Sequence, residues 1–141
     1  MNINNKIKVL NEQWTDIYYS LHYVDKENLS HQVIRILQFI DKNKEATIGD
    51  LSKHINTSVN TSSEHIKRLI KKGFVDKYRS NEDERITLVT IIEVGKSALN
   101  RHTHLDEDKL KQIFETLDTS ELEIIEKAFN LFSQEAKKCF M

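Results

Sequence analysis

The sequence predicts a mainly α-helical chain with one small β-hairpin, and three observations carry that prediction. The 141 residues include no proline and only three glycines, so little interrupts long helices. Near both ends of the chain, apolar residues recur at alternating steps of three and four, the spacing of one helical face. One stretch, residues 74–91, switches to β-rich runs on either side of a polar turn, the pattern of a hairpin.

The elements follow in order. Ile3, Ile7, Leu10, Trp14, Ile17 and Leu21 form a heptad-like seam on a first helix, widened by Tyr18. Ser30 caps a second helix with Val33, Ile36, Leu37 and Ile40 inward, ended by the polar run 41–45. Thr47 and Asp50 form a capping box for a short third helix whose apolar pair is Leu51 and Ile55. Asn56, Thr57 and Ser58 make a tight turn. A fourth helix then runs over 59–72 with Val59, Ser62, Ile66, Leu69 and Ile70 inward, and Gly73 stands where a helix terminator with positive φ belongs.

A short helix, a three-residue turn and a longer basic helix read as a helix-turn-helix. Phe74, Val75 and Tyr78, the turn Ser80–Glu84 and the run 86–91 form a hairpin directly after it, which is a wing. Helix resumes near Glu93 and continues toward Leu117, with a polar middle that predicts a bend. Asp118 and Glu121 cap a last helix carrying the seam Leu122, Ile125, Phe129, Phe132 and Ala136. The fold class is a winged helix-turn-helix with N- and C-terminal dimerisation helices. It is read as a single domain over 1–141, with the winged lobe at about 30–92 and the dimerisation helices at about 1–24 and 93–141.

Charge is distributed unevenly. The net charge is −1, yet residues 53–79 carry seven cations against two carboxylates, a net +5 that leaves −6 for the rest. A basic middle between acidic flanks is the footprint of a phosphate-binding face. No apolar run approaches the length of a membrane span, no signal layout opens the chain, and the single cysteine, Cys139, cannot form an internal disulfide. A cytoplasmic protein with no membrane partner is the expectation. No nucleophile–base set, P-loop or glycine-rich phosphate loop occurs, so neither an enzyme nor a cofactor is expected.

The order of elements and two local motifs resemble the MarR family of bacterial transcription regulators over essentially the whole chain. Asp83-Glu84-Arg85, with Gly95 ten residues after the arginine, is similar to the family's wing signature. Leu69-Ile70-Lys71-Lys72-Gly73-Phe74-Val75 is similar to its recognition-helix ending. The sequence departs from the family at Ile91-Ile92, where a Leu-Thr pair would supply a helix cap; Thr90 or Glu93 is then expected to substitute. Ser52 replaces an alanine, and the wing tip carries the acids Glu82, Asp83 and Glu84. The resemblance implies a sequence-specific regulator of double-stranded DNA, a repressor acting as a homodimer on a pseudo-palindromic operator and relieved by a small-molecule effector.

Helical geometry then nominates side chains. Opposite the buried Ile66, the exposed face of the fourth helix presents Asn60, Thr61, Glu64, Arg68 and Lys71. These types can read base edges: Arg68 a guanine, Asn60 an adenine, Glu64 a cytosine amino group. His65 and Lys67 flank that face and, with Lys53, Lys72, Lys77 and Arg79, suit phosphates. The resemblance implies that Arg85 enters the minor groove, steadied by Asp83; a narrow groove's negative potential favours a guanidinium. It also implies an effector cleft between the dimerisation helices and the DNA-binding lobe, for which Trp14, Tyr18, His22 and Phe39 are candidates, equally readable as core. The six histidines show no zinc spacing, so no metal site is assigned. Two alternative readings are a winged-helix protein-interaction module, favoured by the acidic wing tip, and a metal-responsive regulator.

Overall fold

A computed structural model describes residues 2–24 and 27–141. In chain order the elements are α1 (Ile3–Leu21), α2 (His31–Asn43), β1 (Ala46–Thr47), α3 (Ile48–Ile55), α4 (Val59–Lys71), β2 (Val75–Arg79), β3 (Thr87–Ile91), α5 (Glu93–Thr103), α6 (Glu107–Thr116) and α7 (Thr119–Phe140). Two compact units divide the chain. One holds Met1–Leu21 with Leu105–Met141; the other holds His22–His104.

Caps set the helix starts where short polar side chains stand. Ser30 Oγ accepts the Val33 N–H at 3.2 Å. The Thr47–Asp50 box closes in both directions, at 3.0 and 3.2 Å. So does the Asp118–Glu121 box, at 2.8 and 3.1 Å. Each occupies first-turn N–H groups that a helix leaves without internal partners. Gly73 adopts φ +77°, and its N–H and that of Phe74 donate back to Ile70 and Leu69 carbonyls at 2.9 Å, which ends α4.

The core lies in the 22–104 unit. Ile36, Leu37 and Ile40 of α2 meet Leu51 and Ile55 of α3, Ile66 and Leu69 of α4, Phe74, Val75 and Val89 of the sheet, and Ala98 and Leu99 of α5, all buried. Between α3 and α4, the Ser52 hydroxyl donates to the Ile48 carbonyl at 2.9 Å and its oxygen pairs with the Ser62 hydroxyl at 3.0 Å. Two small residues thus let the helices of the motif approach with their polar atoms paired. Val59, expected inward, is exposed; it opens α4 one turn before the Ser62 contact.

The sheet has three strands in the order β1-β3-β2, all antiparallel. The hairpin register pairs Val75 with Ile91 and Arg79 with Thr87. The two-residue β1, which pairs Ala46 with Val89, is too short to leave a periodic signal. Helix after the wing divides into α5 and α6 at residues 104–106, where Asp106 caps α6. The sequence reading groups 93–103 with the chain-end helices; in the structure α5 packs into the winged unit through Ala98 and Leu99. His102 ties it there: Nδ1 lies 2.8 Å from the Ala98 carbonyl and Nε2 2.8 Å from that of Glu27.

Neither Thr90 nor Glu93 caps α5. Ile92 holds the cap position without a side-chain bond, and its N–H donates to the Phe74 carbonyl at 3.0 Å. The same carbonyl explains Gly95, where a Cβ would stand 2.1 Å from Phe74 O and 2.8 Å from its carbon. Backbone cannot yield as a side-chain tip can.

The other unit contrasts with this packing. Its helices α1, α6 and α7 contain no buried residue among those described. Inside the unit, Leu10, Trp14 and Ile17 of α1 and Ala128, Phe129 and Phe132 of α7 line an apolar groove of about 620 Å³. No helix of the described chain is long and apolar enough to cross a membrane.

Gly95→Ala should therefore lower stability by about 1–3 kcal/mol, the usual cost of overpacking a fixed site. Gly49→Ala provides the contrast. Its Cβ would meet only Thr47 Oγ1, at 3.7 Å, and the change should be neutral or stabilising by up to about 1 kcal/mol. Urea unfolding followed by circular dichroism at one protein concentration tests both; equal midpoints for the two variants would refute the close approach at Phe74.

Candidate nucleic-acid interface

The turn between α3 and α4 is built from the chain's own polar groups. Asn56 takes a left-handed conformation, φ 53°, which asparagine tolerates. Thr57 N–H donates to the Ser52 carbonyl at 3.0 Å. Ser58 caps α4 by accepting the Thr61 N–H at 3.1 Å, and its hydroxyl also donates to Thr61 Oγ1 at 2.9 Å. With α4 held on α3 by Ser62, Ile66 and Leu69, its remaining face is turned to solvent.

On that face Asn60, Thr61, Glu64, Lys67, Arg68 and Lys71 are all exposed, so one helix gathers six of the seven side chains nominated on it. Glu64 and Lys67 form an exposed ion pair at 3.4 Å. His65 is the half-buried member. Its Nε2 lies 3.0 Å from Gln32 Oε1 of α2, and burial, followed by the Arg68 charge, holds its imidazole below the ordinary histidine value. Gln32 went unnoticed in the sequence because the contact spans 33 residues.

The four flanking cations are all exposed, and two of them also have partners within the chain. Lys53 and Lys77 are exposed on α3 and β2. Lys72 Nζ lies 3.5 Å from Glu27 Oε1 and 5.7 Å from the centre of the Phe74 ring. Arg79 Nη1 donates to the Glu84 carbonyl at 2.7 Å, bracing the wing tip. Tyr78, at the wing base, donates its hydroxyl to Glu45, which holds the phenol above its ordinary value.

The wing tip is shaped by Asp83. Its Oδ1 accepts both the N–H and the Nε–H of Arg85 at 3.0 Å, and Oδ2 accepts from Nη2 at 2.9 Å. Arg85 is nonetheless 90% exposed at its side chain. A planar guanidinium gripped on one edge keeps its other edge for a second partner. The Arg85 side chain, then its N–H, hold the Asp83 carboxyl below the usual carboxylate range.

The four effector candidates are divided between the units. Trp14 and Tyr18 belong to α1, their rings stacked with centroids 6.5 Å apart. His22 and Phe39 belong to the winged unit, where Phe39 lies 4.6 Å from the His54 ring. Among the described residues no three His, Cys, Asp or Glu side chains converge as metal ligands would. Cys139 is exposed.

The Asp83–Arg85 pair makes a pH prediction. A carboxyl with a lowered pKa contributes stability above its unfolded pKa, and loses that contribution as pH falls through the lowered value. In Arg85→Gln, carbon-13 titration of the Asp83 carboxyl should show its pKa rising toward the ordinary range. An unchanged titration would mean that the guanidinium does not hold it.

Comparison with known proteins agrees with this geometry. A family model described as MarR family matches residues 29–87. The transcriptional repressor IacR of Pseudomonas putida is 28% identical over 89 residues, 63% of this chain and 53% of the relative. The chain thus spans about half the length of that protein. A MarR-like transcriptional regulator from Thermotoga maritima superposes with a TM-score of 0.63 at 16% identity, over 97% of this chain and 98% of its own. Streptococcus pneumoniae FabT, solved in complex with DNA, gives 0.59 at 15% identity, over 98% and 99%. At such identities the solved structures speak for the fold, and the family match rests on the helix-turn-helix and wing. Residues 29–87 of the chain are thus similar to the MarR family, and the chain has the fold of winged helix-turn-helix proteins.

Proposed function

We infer that the protein is a transcriptional regulator that binds double-stranded DNA through α4 and the wing as a homodimer. The observation that carries this reading is the exposed polar face of α4, set on a buried Ser62–Ile66–Leu69 face and followed directly by a wing that displays Arg85. Asn60, Thr61, Glu64, Arg68 and Lys71 are the proposed base-edge readers in the major groove. Lys53, His65, Lys67, Lys72, Lys77 and Arg79 contribute positive charge toward phosphates. Arg85, oriented by Asp83, is the minor-groove contact. The repressor name of IacR supports repression as the mode of action, and a small-molecule effector is the proposed means of relief.

Dimerisation is proposed from the other unit. Ile7, Leu10 and Trp14 on α1 and Phe129 and Phe132 on α7 are each about half exposed or more, and Ile124 and Leu131 add apolar surface off the seam at 66% each. Large contiguous apolar surface marks an association site. A second copy is the occupant that a pseudo-palindromic operator calls for, because a two-fold pair sets its recognition helices about one DNA turn apart.

Two experiments test these readings. Duplex binding should weaken steeply with salt, and Lys71→Ala should flatten the log–log slope by about one unit. Arg85→Ala should weaken binding most where the flanking groove is narrow and A·T-rich; salt-independent binding, or none to any genomic fragment, contradicts the assignment. In sedimentation equilibrium at micromolar concentration the protein should run as a dimer and Phe132→Asp as a monomer. A wild-type monomer of 16.6 kDa that still binds a palindrome at full affinity would overturn the second reading.

A further inference from the structure

One flank of the recognition helix meets the start of α2 around a recess that the base-reading face does not explain. His65 and Arg68 of α4 and Lys72, its C-cap, stand at i, i+3 and i+7, one stripe of the helix. They line a recess of about 120 Å³ with Asn28, Leu29, Ser30, Val33 and Leu69. The floor is apolar and the rim is cationic. Lys72 is positioned at this rim by Glu27 at 3.5 Å and by the Phe74 ring. Glu27 is the carboxylate nearest the recess in these contacts, and it is also approached by Arg101 at 3.9 Å, so local charge remains positive.

Within the recess His65 is held in a defined state. Gln32 Oε1 accepts from Nε2 at 3.0 Å, so Nε2 carries a hydrogen and Nδ1 is the ring nitrogen left to gain one. Besides Arg68 and Lys72, the charged or titratable groups nearby are Glu64, paired with Lys67 on α4, and Glu27 and His31 on the α2 side. Burial and Arg68 both disfavour the imidazolium in the free protein.

We propose that this recess seats one backbone phosphate of the DNA duplex, and that His65 takes a proton from solvent onto Nδ1 as the phosphate binds. The proposal rests on the DNA-binding reading and deepens it. A phosphodiester beside His65 opposes the Arg68 repulsion and stabilises the charged ring, so the folded complex holds one more proton than the free protein. Affinity then rises as pH falls, across the interval in which bound His65 is charged and free His65 is not. Its lower edge lies below the ordinary histidine value, because burial and Arg68 lower the pKa of the free protein's His65. One linked proton limits the slope to tenfold per pH unit.

The test is fluorescence anisotropy with a duplex selected from random sequence by the full-length protein, at constant ionic strength from pH 5.5 to 8. Wild type should bind about three- to tenfold tighter at pH 6 than at pH 7.5, and His65→Gln should lose most of that dependence, whatever its absolute affinity. Calorimetry in two buffers of different ionisation enthalpy should count about one proton taken up per protomer. In the wild-type protein, the His65 ring signal should titrate at higher pH with the duplex than without it. This last measurement needs no variant. A pH dependence retained in His65→Gln, or a His65 titration unmoved by DNA, overturns the proposal and leaves DNA binding intact. Failure of the wild type to bind any duplex at any pH would remove both.

Discussion

The Phe74 carbonyl is the constraint on which the winged unit depends. It stands immediately after the left-handed Gly73 that terminates α4, accepts the Ile92 N–H that ends the hairpin, and lies where a side chain at Gly95 would have to be. One oxygen thereby joins the recognition helix, both long strands and the start of α5. Because α5 has no side-chain cap, this long-range bond does work that a local threonine would otherwise do. The wing's position relative to α4 follows from it.

A second division runs between the two units. The winged unit owns the buried core and pairs its polar interior, as the Ser52–Ser62 contact shows. The α1, α6 and α7 unit has apolar seams of comparable quality but no buried residue among those described. Hydrophobic surface is stabilising only when something removes it from water, so the stability of these helices and the association of the protein are one problem.

Much of this was legible in the sequence, for a physical reason: caps and amphipathic stripes are encoded within four residues. Ser30, Thr47–Asp50, Asp118–Glu121 and Gly73 all act as their residue types require, and the Asp83–Arg85 grip spans only two positions. What escaped depends on distant partners. The strand β1 is visible only through its pairing with Val89. The reason for Gly95 lies 21 residues earlier, in a backbone atom. Gln32 beside His65 and Glu45 beside Tyr78 are each separated from their partners by 33 residues. The exposed face of α4 could be computed from periodicity, but the Arg79 bond to the Glu84 carbonyl, which braces the wing tip, left no signal of its own.

That strut separates two properties usually treated as one. Arg79 has a donor committed to the Glu84 carbonyl, Lys67 is drawn to Glu64, and Arg85 is gripped along one edge by Asp83. Arg79 keeps its full positive charge, since a carbonyl neutralises nothing, whereas Lys67 and Arg85 are partly offset by their carboxylates. If the proposed function holds, the field that draws a polyanion from a distance and the contacts that retain it fall to overlapping but different residues. Steering of this kind acts on the rate of encounter and fades with ionic strength, while direct contacts govern how long the complex survives. Under the proposed function, arrival and residence would then depend on separate side chains, and each could change in evolution without the other.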